Sequence, residues 1–348
     1  MIAGRFCGGL VNTWKSYLSR VARGRDHAGD LNRKEAEIFF SAWLDGALPD
    51  LLAGAFWVAY RIKGESLEEL QGFHDALRSD IKPLSRPSRL LPVVFASYNG
   101  TRRRANLLPL LALALTRCGV PVIVHGPDLH TCPTASPPDS MAETRVFSAQ
   151  IFQHLGLASA SSLAEADTLL RLQGLVYLPL SAWLPGLQRI FALRGNLGIR
   201  SSVHTLVKIL HPFAPREAVV CAAVTHPPYL QRLQEFFLQT KMLALCFRAT
   251  EGEPFANPQR CPDLFTCQQG SARLLLAKDK MPVSQLVDLP ENTVSATSAF
   301  TLGVLNGQYP LPQPLAKQAA ALLLMSGRCG DLTSARRLLR RTFSRIAA

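Results

Sequence analysis

The chain has 348 residues, 48% of them hydrophobic and 18% charged, which describes a folded protein with a large core and excludes a disordered tail. Its 38 Lys and Arg against 25 Asp and Glu leave a formal net charge of +13, a balance that favours polyanionic partners over acidic ones. No run reaches the ~18 apolar residues of a membrane span, and Met1 to Asn12 lacks a basic stretch followed by an apolar one and a small-residue cleavage site, so a cytoplasmic protein without a transmembrane segment is expected.

From Leu31 to Ser79 the pattern is helical. Asn32 with Glu35 makes a capping box, and Ala36, Phe39, Phe40, Trp43 and Leu44 follow as one apolar stripe. Asp45-Gly46 ends that helix, Pro49 opens a second, and Ser66 with Glu69 caps a third. The aromatics Trp43, Phe56, Trp57 and Phe73 sit at helical spacing, which assigns them to a core or a dimer interface rather than to base stacking. After a proline-bearing linker at Ile81 to Leu91, the apolar run Leu91 to Ser97 reads as a buried strand, Asn106 to Cys118 as a helix and Val120 to His125 as a second strand, a βαβ unit. Further on, Pro127 to Asp139 reads as a loop, Gly174 to Leu178 as a strand and Leu184 to His211 as mainly helix. Val219 to Val224 and Met242 to Phe247 read as strands around a helix at Leu230 to Gln239. Gly252 to Gly270 looks irregular, and Lys317 to Ala348 helical. The eight cysteines contain no C-x-x-C pair, which speaks against a disulfide framework or a zinc site.

The charge is segregated. Ile81 to Pro127 holds Lys82, Arg86, Arg89, Arg102, Arg103, Arg104 and Arg117 and no acid; Thr168 to Arg216 holds Arg171, Arg189, Arg194, Arg200, Lys208 and Arg216, again without an acid. These windows carry the whole excess of +13. Ligands of open α/β sheets gather at the carboxyl ends of strands, which draws attention to Ser97-Tyr98-Asn99-Gly100-Thr101-Arg102-Arg103-Arg104. Three arginines there, at the entry to a helix whose N-terminus attracts anions, suit bidentate contact with phosphate. Tyr98 is a candidate for stacking on a base, which would favour single strands. At the C-terminal end, Leu332, Ala335, Leu338, Leu339, Phe343 and Ile346 share one helical face, with Arg336, Arg337, Arg340, Arg341 and Arg345 mainly elsewhere. Such a helix suits docking with a solvated basic face, further phosphate contacts, or an anionic membrane surface.

Several of these stretches resemble a known family. Asp45 to Asp50 and Arg61 to Ser66 are similar to the N-terminal helical domain of anthranilate phosphoribosyltransferases, and Tyr98-Asn99-Gly100 through Gly119-Val120-Pro121-Val122 to His125-Gly126 is similar to their first βαβ unit. His204-Thr205-Leu206, His211-Pro212-Phe213 and Thr250-Glu251-Gly252-Glu253-Pro254 resemble the YbiB-like branch, whose members bind nucleic acid. The resemblance implies an α/β fold. A small helical domain over 14–80, with helices of about 184–211 packed on it, stands beside a larger α/β domain over 88–348. The latter has a mainly parallel central sheet, as in class III nucleoside phosphorylases and phosphoribosyltransferases. It also implies homodimerisation through the helical part.

The transferases of that family use phosphoribosyl pyrophosphate and magnesium. Their glycine-rich pyrophosphate loop is reduced here to Gly100 and Thr101 among arginines. No adjacent acidic pair follows Glu68-Glu69, leaving Glu251 and Glu253 as the nearest magnesium candidates. Where those enzymes have Lys-His-Gly-Asn, this chain has Val124-His125-Gly126-Pro127, which makes His125 a packed strand-end residue. The expectation is therefore a non-catalytic, largely sequence-independent nucleic-acid-binding homodimer, needing no cofactor and taking single-stranded DNA or RNA. Its basic cleft would lie between Tyr98, Asn99, Gly100, Thr101 and Arg102 to Arg104 on one wall and Arg189, Arg194, Arg200 and Lys208 on another. A phosphoribosyltransferase with an altered site, requiring magnesium, is the alternative.

Overall fold

A computed structural model describes residues 6–24, 26–79, 81–128, 145–249, 251–282 and 286–343. Four helices open the chain: α1 (Phe6–Val21), α2 (Arg33–Leu44), α3 (Asp50–Lys63) and α4 (Leu67–Ser79). Strand β1 (Val93–Ala96), α5 (Leu108–Arg117) and β2 (Val122–Gly126) follow, then α6 (Ser148–His154), α7 (Leu163–Gln173) and β3 (Leu175–Pro179). Next come α8 (Pro185–Leu197), α9 (Val203–Leu206), β4 (Val219–Val224), α10 (Pro227–Gln239) and β5 (Leu243–Arg248). Four short strands, β6 (Arg260–Cys261), β7 (Leu264–Gln268), β8 (Ser271–Leu276) and β9 (Asp279–Lys280), precede α11 (Val294–Leu305), α12 (Gln313–Met325) and α13 (Leu332–Thr342). Two compact units result, one of 1–82 with 184–207, the other of 83–183 with 208–348.

The helical unit is organised by its caps and its aromatics. Asn32 Oδ1 accepts the Glu35 N–H at 2.9 Å while the Glu35 carboxylate accepts the Asn32 N–H at 3.0 Å, completing the capping box. The α2 stripe is buried as its spacing requires, with Phe39 and Phe56 ring centroids 4.2 Å apart and Phe40 and Phe73 4.9 Å apart. These rings are core, closed to any ligand. Gly72 lets α4 lie on α2, since a Cβ there would meet the Arg33 carbonyl oxygen at 2.2 Å. Glu69 is fully buried and keeps its charge satisfied by Lys63 Nζ at 2.7 Å, the Tyr60 hydroxyl at 3.1 Å and the Leu31 N–H at 2.9 Å.

The second unit is built on a seven-stranded sheet ordered β3-β2-β1-β4-β5-β7-β8. The first five strands pair in parallel, with Phe95 opposite Val124 on one side and Cys221 on the other. Both faces are covered, which is why β1, β2 and β4 read as unbroken apolar runs. From β1 the chain builds outward to β2 and β3, then returns to place β4 on the other flank of β1. The carboxyl ends of β1 and β4 therefore straddle the topological switch point, where open sheets of this kind bind ligands.

Two segments depart from the sequence reading. Gly252 to Gly270 is not irregular throughout: it contains β6 and β7, and β7 turns into β8 at Gln269 and Gly270, both at positive φ (51° and 75°). That two-residue turn lacks the Asn-Gly or Asp-Gly signature of tight hairpins. Helix α11, capped by Thr293 Oγ1 on the Ala296 N–H at 3.1 Å, lies in a stretch for which the sequence pattern predicts no element. Residues 129–139 of the loop expected after Pro127, Thr250 of the Thr250–Pro254 motif, and Arg345 and Ile346 of the C-terminal face lie outside the described residues. Among the described residues no helix is long and apolar enough to cross a membrane.

Candidate functional site

The loop after β1 sits at the switch point, and its backbone is held by residues distant in sequence. Ser97 closes the sheet with its N–H on the His125 carbonyl at 2.8 Å. The chain then turns at Gly100, at φ +63°, where a Cβ would meet the Val146 carbonyl oxygen at 3.0 Å. Thr101 and Val146 exchange backbone hydrogen bonds of 3.0 and 2.9 Å, and Arg145 Nη1 donates to the carbonyls of Asn99 (2.9 Å) and Gly100 (3.1 Å).

The N–H groups of this loop face two carboxylates. Glu253 Oε1 accepts the N–H of Asn99 and of Gly100, each at 2.8 Å, and Glu253 Oε2 accepts the Ser97 hydroxyl at 2.7 Å. Glu251 accepts the N–H of Arg102 at 2.6 Å and of Arg103 at 3.3 Å, while its carbonyl receives Asn99 Nδ2 at 2.5 Å. Successive N–H groups at such a turn form an anion-binding concavity. Here the anion is the chain's own. Burial pushes the Glu253 carboxyl above its usual range, opposed by the Ser97, Asn99 and Gly100 donors and by the charge of Lys208.

This arrangement does not fit magnesium. The ion wants carboxylate oxygens with free lone pairs in near-octahedral array, and those of Glu253 and Glu251 are turned to N–H and O–H donors. Among the described residues no cluster of three or more His, Cys, Asp and Glu is placed to hold a metal. The reading of Glu251 and Glu253 as the nearest metal candidates thus gives way to a role as clamps of the loop. Their signal in the sequence is the Glu-Gly-Glu turn itself, two carboxylates flanking a glycine just past a strand end.

The residues expected to contact phosphate divide into several classes. Arg102 and Arg103 are exposed, and Arg104 is half-buried with Nη1 donating to Asn257 Oδ1 at 2.9 Å. They do not stand at a helix entry: α5 begins at Leu108, and its first turn is sealed in the apolar core, so its N–H groups and dipole are not offered to solvent. Tyr98 is only 3% exposed, with the Lys208 ammonium 5.6 Å from its ring centroid, so it cannot stack on a base. Lys208 Nζ donates to the Ala223 carbonyl at 2.7 Å, spending its charge on the strand end and Glu253. Asn99 and Thr101 are buried, and Thr101 Oγ1 donates to Asn292 Oδ1 at 2.9 Å.

Arg189, Arg194 and Arg200 belong to the helical unit. Arg189 is exposed, but its Nη2 donates to the carbonyls of Trp43 and Leu44, closing the C-terminus of α2. Arg194 lies in the last turn of α8, and both it and Arg200 are half-buried. His125 is a fully buried strand-end residue, 3.1 Å from the Leu210 carbonyl through Nε2, and burial lowers its pKa to about 4.

Comparison with known proteins places this geometry in context. Residues 15–80 match the model of the glycosyl transferase family, helical bundle domain. Over 321 residues, 92% of this chain and 96% of the relative, the sequence is 34% identical to the uncharacterized protein YbiB of Escherichia coli strain K12. It is 25% identical over 331 residues to the anthranilate phosphoribosyltransferase of Parasynechococcus marenigrum, covering 93% and 89% of the two chains. The crystal structure of anthranilate phosphoribosyltransferase from Thermus thermophilus superposes with a TM-score of 0.70 at 20% identity, over 95% of this chain and 94% of that one. The two share a fold, a helical domain with an α/β domain on a mostly parallel sheet.

Proposed function

The chain belongs to the anthranilate phosphoribosyltransferase superfamily, in the branch of YbiB, and from that premise we propose that it binds nucleic acid without catalysing transfer. One observation carries the reading: at the switch point the backbone donors are already taken by Glu251 and Glu253, while the Arg102 and Arg103 side chains project into solvent. Transfer of a phosphoribosyl group needs a bound pyrophosphate leaving group and neutralisation of its charge. A loop filled by carboxylates supplies neither. Exposed guanidinium groups are instead suited to phosphates approached from outside.

Recognition of this kind reads the phosphate backbone, so it is insensitive to base sequence and sensitive to salt. With Tyr98 buried, no aromatic ring of the loop favours single strands; the proposal rests on backbone contact in DNA or RNA of either form. The proposed assembly is a cytoplasmic homodimer joined through the helical unit. Supporting it, α3 exposes Leu51 (86%), Val58 (40%) and Ile62 (63%) along one face, an apolar stripe of the sort that subunit contacts cover.

Fluorescence anisotropy of a labelled oligonucleotide, single-stranded and duplex, titrated with protein at several salt concentrations tests the proposal. A steep salt slope that does not change with base sequence is expected. Absence of binding at low salt, or turnover of phosphoribosyl pyrophosphate with an aromatic amine, would overturn it.

A further inference from the structure

We propose a second phosphate-binding surface at the opposite end of the strands, made by Arg336, Arg337, Arg340 and Arg341 of α13 with Arg117 and Arg328 beside it. This rests on the nucleic-acid reading above and extends it to a face that the Arg102–Arg104 loop does not include. The four α13 arginines are exposed, while Ala335, Leu339 and Phe343 turn into the core. They form two rows at i, i+4, Arg336 with Arg340 and Arg337 with Arg341, and like charges so placed repel. One acid alone stands against them in this part of the sequence: after Glu291 the only acidic residue of the chain is Asp331, the N-cap, which accepts the Ser334 N–H at 2.7 Å and feels the charge of Arg337.

The neighbouring elements add to the patch. Arg328 and Arg117 are both exposed and flank the patch around Cys118, each anchored by one guanidinium nitrogen: Arg328 Nε donates to the Cys118 carbonyl at 2.7 Å, and Nη1 of Arg117, which precedes that residue, donates to the Leu305 carbonyl. Cys118 Sγ is 3.8 Å from Thr342 Oγ1 at the end of α13, which ties both arginines to the basic helix. Leu91 N–H donates to the Ser326 carbonyl at 3.0 Å, and Cys118 lies just ahead of β2. The patch therefore lies at the amino ends of β1 and β2. The Arg102–Arg104 loop lies at the carboxyl end, about 15 Å away along the strands.

The occupant is a nucleic-acid phosphate backbone rather than a membrane. Helices that bind bilayers bury an apolar face among the lipids. The apolar face of α13 is already committed to the protein core, with Leu332 and Leu338 packed against it as well. The exposed side chains of α13 are Thr333 and the four arginines, and the planar guanidinium forks match phosphate oxygens.

The test compares the wild-type protein with a variant carrying Arg336→Gln, Arg337→Gln, Arg340→Gln and Arg341→Gln. Glutamine keeps helix propensity, and circular dichroism confirms the fold. The probes are labelled single strands of about 6 and about 30 nucleotides. The expected result is a loss of about tenfold or more in affinity for the long strand at low salt, with a slope shallower by up to about 0.7 per lost contact. The short strand, which the Arg102–Arg104 loop can hold alone, should lose affinity by a smaller factor than the long one, and an equal loss for both would overturn simultaneous engagement of the two surfaces. Unchanged affinity and slope for the long strand would overturn the second surface and leave the loop reading intact. Failure of the wild-type protein to bind either strand would overturn both. Arginine-dependent binding to phosphatidylserine–phosphatidylcholine vesicles, with no effect on either oligonucleotide, would replace nucleic acid by a lipid surface.

Discussion

Glu253 receives the N–H of Gly100 at 2.8 Å at the turn where that glycine takes φ +63°. A buried carboxylate thus occupies the concavity that the turn creates, and the loop is ordered by an internal anion. The consequence for function is a division of labour: backbone donors hold the loop, and the exposed side chains of Arg102 and Arg103 are turned to solvent, where an external partner can reach them.

Replacing Arg102, Arg103 and Arg104 together by alanine should weaken nucleic-acid binding to a similar degree across sequences. The slope of log affinity against log salt should fall by up to about 0.9 per lost contact on duplex and about 0.7 on single strands. Anisotropy titrations measure both. An unchanged slope would take these arginines off the binding path.

Glu251 holds a negative charge beside Arg102 and Arg103. Glu251→Gln retains one acceptor oxygen and removes that charge. At a separation of about 7 Å in water the repulsion relieved is about 0.6 kcal/mol, a gain of about threefold in affinity at low salt that shrinks as salt rises. Weaker binding in this variant would show that the carboxylate orders the arginines rather than screening them.

Arg189→Ala separates a structural role from a ligand-binding one. Its guanidinium closes the end of α2 through the Trp43 and Leu44 carbonyls, so the variant should lose about 1 kcal/mol of stability by denaturant unfolding. Its salt slope for nucleic acid should match the wild-type protein. A changed slope with unchanged stability would return Arg189 to the binding surface.

If the apolar stripe of α3 is the dimer contact, Leu51→Glu with Ile62→Glu should yield a folded monomer. Both side chains are exposed, so their replacement leaves the helical core in place. Light scattering coupled to size-exclusion chromatography reads the mass. A dimer that survives both charges would move the contact elsewhere.

Burial lowers the pKa of His74 and of His125 to about 4. For a base with a depressed folded pKa, the stabilising contribution is present above the ordinary value of about 6.5 and is lost as pH falls towards 4. Each should contribute up to about 3 kcal/mol. Glu253, held above the usual carboxylate range by burial, acts in the opposite sense, its contribution declining as pH rises through its folded pKa. Urea unfolding of the wild-type protein and of His125→Gln at a series of pH values isolates the histidine. The variant should show the flatter profile between pH 6.5 and 4.

The sequence by itself determined what depends on near neighbours. The Asn32–Glu35 cap, the apolar runs of β1, β2 and β4 and the two-faced composition of α13 are properties of residues within a turn or a strand of one another. Motifs in family order carried the fold. Only the tertiary structure decided how each polar group is used. The carboxylates that fill the Asn99–Arg103 turn come from about 150 residues further along the chain, Arg189 is turned to the end of α2, and Tyr98 lies beneath Lys208. A charge count measures how many arginines a chain has. Whether a given one faces solvent or a carbonyl is fixed by long-range packing, because a buried polar group must find its partner wherever the fold brings one.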